Sequence, residues 1–190
     1  ILSEKNIKIQ WWVRQDTTVQ FIQKHHKNPS YLTDVTINME KVSVFDSVKE
    51  AVKNSDIIIL VVPSAFLCQA IEPLSSSDLK DKIVFNAIKG IVPHRYQIVC
   101  EFMRDVYELP LTSLGVISGP CHAEEVALEK LSYLTISCQQ LSNARELSRL
   151  LECFYIKTNL SNDIYGSEYN AILKNIYAIT SGIAHSLHYG

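Results

Sequence analysis

The chain is short of several things, and each shortage excludes a class of function. It has no run of lysine or arginine, and 18 basic residues face 20 acidic ones for a net charge of -2. There is thus no electrostatic footprint for nucleic acid or for an anionic membrane surface. It has no C-x-x-C pair. Its five cysteines (Cys68, Cys100, Cys121, Cys138, Cys153) lie far apart, which fits a reduced, cytoplasmic chain better than a disulfide scaffold or a zinc site. Its histidines (His25, His26, His94, His122, His185, His188) form no H-x-x-x-H pair, so no metal is expected. No apolar run is long enough to span a bilayer, and no secretory signal opens the sequence. A starting Met is also absent. Ile1 to Asn6 read as the tail of a helix, and Tyr189-Gly190 follow a long helix with nothing to pack against it. The expectation is a chain truncated at both ends.

What remains is ordinary globular material, 190 residues at 47% hydrophobic and 20% charged. Strand and helix signals alternate. Ile7 to Val13 reads as a strand, and Asp16 can cap a helix that runs to about His26 and stops at Asn28-Pro29. A short helix is expected from Ser47 to Lys53, capped by Asp46. Ile57 to Val62 is a continuous β-branched run, the pattern of a strand covered on both faces. Further strands are expected at Ile83 to Ile88, Leu114 to Ser118, Leu131 to Cys138 and Cys153 to Thr158. Helices are expected around Tyr96 to Val106, from His122 to Lys130 and from Asn143 to Glu152. This order predicts an α/β fold, a Rossmann-like, mostly parallel sheet with crossover helices. A polar linker at Ser161 to Asp163 then precedes one long helix. The chain therefore divides at this linker into residues 1–160 and 161–190.

In open α/β sheets ligands bind beyond the carboxyl ends of the strands. The residues found there are Arg14, Pro63-Ser64, Lys89-Gly90 and Gly119-Pro120. Each alone is common turn chemistry. Four such ends in one sheet, two of them cationic, suit an anionic ligand such as a phosphorylated cofactor or substrate. Arg14 has a more specific job open to it. An arginine after the second strand of a dinucleotide fold accommodates the extra phosphate of NADP. The G-x-G-x-x-G fingerprint that should lie upstream is not in the sequence.

The long helix carries Lys174-Asn175 among apolar residues at helical spacing (Ile164, Tyr165, Tyr169, Ile172, Leu173, Ile176, Tyr177, Ile179, Ile183), so it reads as buried. One or two turns from Lys174 lie Asn170, Ala178 and Ser181, a small, polar stripe that can line a cleft. The residues alone leave two readings open: a lysine on a solvated face, or a lysine aimed into a semi-dry cleft where it donates a proton.

Five segments together resemble the NAD(P)-dependent glycerol-3-phosphate dehydrogenases, the bacterial form above all. They are Val61-Val-Pro-Ser64, Asn86-Ala-Ile-Lys-Gly90, Ile117-Ser-Gly-Pro-Cys-His-Ala-Glu-Glu-Val126, Ala171-Ile-Leu-Lys-Asn175 and Ser181-Gly-Ile-Ala-His-Ser-Leu-His-Tyr-Gly190. The likeness covers nearly the whole chain, and it implies that residues 1–160 are a dinucleotide-binding unit without its first strand and Gly-rich loop and that 161–190 are the start of an all-α C-terminal domain. It implies an oxidoreductase that uses NAD or NADP on a small phosphorylated substrate and supplies glycerol 3-phosphate for phospholipid synthesis. It implies that Lys174 is the catalytic proton donor, Asn175 the neighbouring amide, and Lys89 a second lysine touching substrate and cofactor. Gly119 and Cys121 fall at substrate-contacting positions. Arg14, Tyr31, Pro63, Phe66 and Ala123 fall at cofactor positions. Cys121 departs from the hydroxyl or amide that many relatives carry, and Ser186 and His188 replace commoner small or apolar residues. The expected partners are a small molecule and a second copy of the chain, with no nucleic acid and no membrane span. Two alternatives remain: another NAD(P)-dependent hydroxy-acid or sugar-phosphate dehydrogenase of the same architecture, and a non-catalytic nucleotide-binding α/β module.

Overall fold

The computed structural model describes residues 1–189. Seven strands alternate with eight helices among these residues. The strands are β1 (Ile9–Trp12), β2 (Val42–Phe45), β3 (Ile57–Leu60), β4 (Ile83–Asn86), β5 (Leu114–Ser118), β6 (Ser132–Cys138) and β7 (Ile156–Ser161). The helices are α1 (Asp16–His25), α2 (Val48–Lys53), α3 (Ser64–Ile71), α4 (Ser76–Leu79), α5 (Val99–Tyr107), α6 (Ala123–Ala127), α7 (Leu141–Leu151) and α8 (Ile164–Ser186). β1 and β2 pair in parallel, and β3 to β7 form a second sheet in chain order. All its neighbours are parallel except β5 and β6, which run antiparallel with Val116 opposite Ser137. The fold is a Rossmann-like, mostly parallel sheet followed by a long helix.

Alternation along the strands shows both faces covered. Ile58, Leu60 and Val84 pack into one core with Leu67, Met103 and Leu114. Their neighbours Ile57, Ile59 and Phe85 point the other way, into a core with Ile136, Ala144 and Leu147 of α7. A period of two places successive side chains on opposite faces, so a continuous apolar run is what a doubly covered strand requires. β1 behaves likewise. Trp12 packs with the first core, whereas Ile9, Trp11 and Val13 join Val19, Ile22, Val42 and Val44 under α1.

Between β1 and β3 lies a groove of about 780 Å³. Every residue from Gln10 to Val13 and from Ile57 to Val62 lines it, so strand edges rather than faces form its walls. Among the described residues each of these strands is hydrogen-bonded along its other edge only.

The sequence reading needs correction in several places. β2, α3 and α4 had no predicted counterpart. β7 runs to Ser161, three residues beyond the expected end, so Ser161 belongs to the sheet and not to a linker. Ser47, not Asp46, caps α2, accepting from the Glu50 N–H at 3.5 Å. Gln15 stands at the N-cap of α1, and Asp16 is its first residue. Ile1 to Asn6 hold a short 3-10 turn, Leu2–Glu4, rather than the end of an α-helix. The largest departure is α8. Ile164, Glu168 and Ala171 are buried, but Tyr169, Ile176, Tyr177, Ile179 and Ile183 are exposed. The physical reason is geometric: Tyr169 lies off the stripe of Ile164, Glu168 and Ala171, and beyond Leu173 no described element buries the helix.

Gly115 in β5 tests how tightly the layers close. A Cβ there would strike the Phe85 ring and stand 2.7 Å from the Ser137 carbonyl oxygen. Overpacking of this kind costs about 1–3 kcal/mol. Gly115→Ala should lower the urea midpoint accordingly, and an unchanged midpoint would show that the two faces yield easily.

Candidate active site

The carboxyl ends of the strands gather residues far apart in sequence. Arg14 follows β1 and Phe66 lies just past β3, yet the Arg14 guanidinium sits 4.9 Å from the centre of the Phe66 ring. This contact also shows that β1 and β3 point the same way. Pro63 and Tyr31 line the same groove, Tyr31 at its exposed rim. An exposed guanidinium stacked on a ring keeps its fork of donors free, and an aromatic wall offers a stacking surface.

The end of β4 is built around Asn86, which is buried. Its Oδ1 accepts from the Ile88 N–H at 3.3 Å, and its Nδ2 lies 3.5 Å from both the Gly115 carbonyl oxygen and Cys100 Sγ. The side chain thus shapes the turn that presents Lys89. Gly90 lets this turn approach α3, because a Cβ at that position would stand 2.5 Å from Ser64 Oγ. After β5, Gly119 adopts φ +126°, and a Cβ would strike the Tyr133 carbonyl oxygen. Only glycine is comfortable in that conformation. Cys121 follows, half-buried. Burial pushes its thiol up from the ordinary value, opposed by a hydrogen bond with Ser132 and by the positive charge of Lys89. Lys89 and Cys121 therefore share one neighbourhood. Ala123 opens α6 beside the exposed pair His122 Nδ1 and Glu125 Oε2, 3.4 Å apart.

Lys174 and Asn175 are exposed and make no side-chain hydrogen bond or ion pair among the described residues. They do not line the groove that holds Arg14 and Phe66. Their place follows from the direction of α8. Arg104 Nη1 donates to the Tyr165 hydroxyl at 3.4 Å, and Glu168 accepts from the Val99 and Cys100 N–H groups. Rising numbers on α8 meet falling numbers on α5, so the two helices run antiparallel. α8 therefore travels toward the first turn of α5, where β4 ends. Lys174 lies six residues, roughly 9 Å, further along that axis. This carries it past the carboxyl edge of the sheet, the edge that also presents Lys89.

Glu168 escaped sequence reading, and Asn86 was read only as part of the Asn86 to Gly90 segment, without a role. Glu168 is completely buried. Burial pushes its carboxyl up, while hydrogen bonds from Cys100 and from the Val99 and Cys100 backbone oppose the shift. A signal for it existed: it stands on the stripe of Ile164 and Ala171, where a solvated charge does not belong.

Residues 1–144 match the family model described as the N-terminus of NAD-dependent glycerol-3-phosphate dehydrogenase. The chain belongs to the glycerol-3-phosphate dehydrogenase family. It is 31% identical over 195 residues to glycerol-3-phosphate dehydrogenase [NAD(P)+] of Limosilactobacillus fermentum, covering 100% of this chain and 57% of that protein. It is 31% identical over 191 residues to the protein of the same name from Exiguobacterium, covering 100% and 56%. The crystal structure of glycerol-3-phosphate dehydrogenase from Coxiella burnetii superposes with a TM-score of 0.86 at 23% identity, covering 100% of this chain and 57% of that one. At that identity the superposition speaks for the fold. The chain thus spans about 57% of the length of the family members it matches. No described helix is long and apolar enough to cross a membrane.

The raised thiol of Cys121 has a direct chemical consequence. The thiolate is the form that reacts. Iodoacetamide should therefore label Cys121 more slowly than the exposed Cys68 at neutral pH, and the Cys121 rate should still be climbing at pH 9.0. Mass-spectrometric time courses over pH read this out, and a plateau well below that pH would contradict the burial argument.

Proposed function

We propose that the complete protein interconverts dihydroxyacetone phosphate and sn-glycerol 3-phosphate with NAD or NADP. The observation that carries the reading is the convergence at one sheet edge. Arg14 with Phe66, Lys89 and Gly119-Cys121 stand at strand ends, and α8 runs toward that edge with Lys174. Family membership supplies the reaction class. On this reading residues 1–160 are the dinucleotide-binding unit and 161–190 begin the helical substrate domain. The product serves phospholipid synthesis in the cytoplasm, and the working form is a homodimer.

The groove chemistry fits the adenosine part of a dinucleotide. Phe66, Pro63 and Tyr31 supply an apolar, aromatic wall, and Arg14 supplies donors for a ribose phosphate. The bound dinucleotide supplies the hydride for the substrate C2. The chain's own residues do the rest. Lys174 stabilises the alkoxide that develops on the C2 oxygen and delivers a proton to it, a contribution of order 10²- to 10⁴-fold for a well-placed acid. Asn175 orients the same oxygen. Lys89 holds the substrate from the end of β4. Gly119 and Cys121 bound the substrate, and Ala123 leaves room for the cofactor beside them.

Lys174→Ala in the complete protein should lower kcat by at least about 10²-fold and leave dinucleotide affinity within twofold. Near-normal turnover would sink the assignment. Arg14→Ala should weaken NADP more than NAD, as fluorescence titration with each would show. Equal losses would remove the phosphate role of Arg14.

A further inference from the structure

Glu168 has no place in that reaction, yet it is completely buried on the stripe by which α8 meets the sheet. One carboxylate oxygen accepts from the Val99 N–H at 2.6 Å, and the other from the Cys100 N–H at 3.3 Å. Val99 and Cys100 are the first two residues of α5. Their N–H groups have no partner inside the helix, and the positive end of the helix dipole favours an anionic acceptor. The contacts continue beyond α5. Cys100 Sγ lies 3.5 Å from Asn86 Nδ2, and Asn86 Oδ1 accepts from Ile88, the residue before Lys89. One connected set of polar contacts therefore joins the helix that carries Lys174 to the turn that carries Lys89.

The other contacts of α8 constrain its register less sharply. Ile164 and Ala171 are apolar, and burial of apolar surface is non-directional. The Ser167 hydroxyl meets the Ser137 hydroxyl at 2.6 Å, and Tyr165 meets Arg104, both through rotatable groups. The Glu168 contacts differ because their partners are backbone N–H groups, which cannot rotate away. They fix both the rotation of α8 about its axis and its advance along that axis.

We propose that Glu168 is a positioning residue that sets the placement of Lys174 relative to Lys89. The proposal rests on the roles given to those lysines above. Its action runs through α5 and Asn86, and it touches neither substrate nor cofactor. The consequence is a specific kinetic signature. Misplacement of a reacting group by about 1 Å can cost up to about 10²-fold in rate, whereas the dinucleotide groove at Arg14 and Phe66 lies elsewhere and should not respond.

The test uses the complete protein in three variants, Glu168→Gln, Glu168→Ala and Lys174→Ala. Each is assayed for kcat, for KM of dihydroxyacetone phosphate, and for the affinity and stoichiometry of NADH or NADPH binding. Glu168→Gln keeps the volume and the acceptor for Val99 but sets an NH2 group against the Cys100 N–H. It should lose about tenfold in kcat, and Glu168→Ala up to about a hundredfold, with dinucleotide affinity and stoichiometry within twofold of the parent. Partial rescue by Gln over Ala supports the directional role. If kcat and binding stoichiometry fall together in proportion, Glu168 only holds the fold, and the proposal is overturned. Parental kcat in Glu168→Gln and Glu168→Ala beside an inactive Lys174→Ala overturns the positioning role alone. Parental kcat in Lys174→Ala overturns the functional reading and the proposal with it. If Glu168→Ala does not fold, Glu168→Gln decides between these outcomes by the same measurements.

Discussion

Parallel pairing is the constraint from which the rest of this structure follows. Strands hydrogen-bonded in parallel must be joined by connections that return across a face of the sheet, so every such strand ends at the same edge. The pairs β1–β2, β3–β4 and β4–β5 obey this rule through α1, through α3 with α4, and through α5, and the Arg14–Phe66 contact brings the ends of β1 and β3 together. Residues as distant as Arg14 and Gly119 are thereby delivered to one side of the molecule without any direct interaction between them. The cost is burial on both faces, which β3 meets with Ile-Ile-Ile-Leu and β4 with Ile-Val-Phe. At the end of β4 a polar side chain, Asn86, enters the layer, and there its amide group meets neighbours from β5, α5 and its own turn.

Two buried polar residues bear on the active edge in different ways. Asn86 shapes a turn from within, and Glu168 ties a later helix to it. A carboxyl group without water is tolerated only where donors surround it. The first turn of α5 provides them, because helix geometry leaves those N–H groups free. The same proximity pushes the Cys100 thiol up through burial and the nearby carboxyl charge, so that cysteine stays protonated and inert. Cys121 is raised more by burial than it is lowered by Lys89, which separates it from a nucleophilic cysteine in spite of its place at the strand end.

Sequence reading recovered the elements whose pattern is strong and local. β3 was plain because β-branched residues run without interruption, and α5 because Val99, Phe102, Met103 and Val106 keep helical spacing. β2 was missed because Val-Ser-Val-Phe is only four residues long and follows a turn-rich stretch. α3 was missed because its eight residues start directly after Pro63, where turn chemistry masks the helix signal. The apolar spacing of α8 gave the right element and the wrong burial, since periodicity reports which residues share a face and not whether anything covers that face. Arg14 and Pro63 came from the strand ends, and Tyr31 and Phe66 from family likeness; all four line one groove. Glu168 was overlooked because a charge within a helix reads as solvated until its neighbours in space are known.

The attachment of α8 has a mechanical meaning. Among the described residues its buried contacts with the body fall in the first two turns, at Ile164, Glu168 and Ala171, while the helix has 23 residues in all. It is a lever with its pivot near Glu168. A tilt of about 5° at the pivot moves a point roughly 9 Å away, the position of Lys174, by less than about 1 Å. The same tilt sweeps Ser186, roughly 27 Å away, through more than about 2 Å. Lys174 sits on the short arm. For any tilt it moves about a third as far as Ser186, so the placement of Lys174 is set chiefly by how firmly the pivot is held.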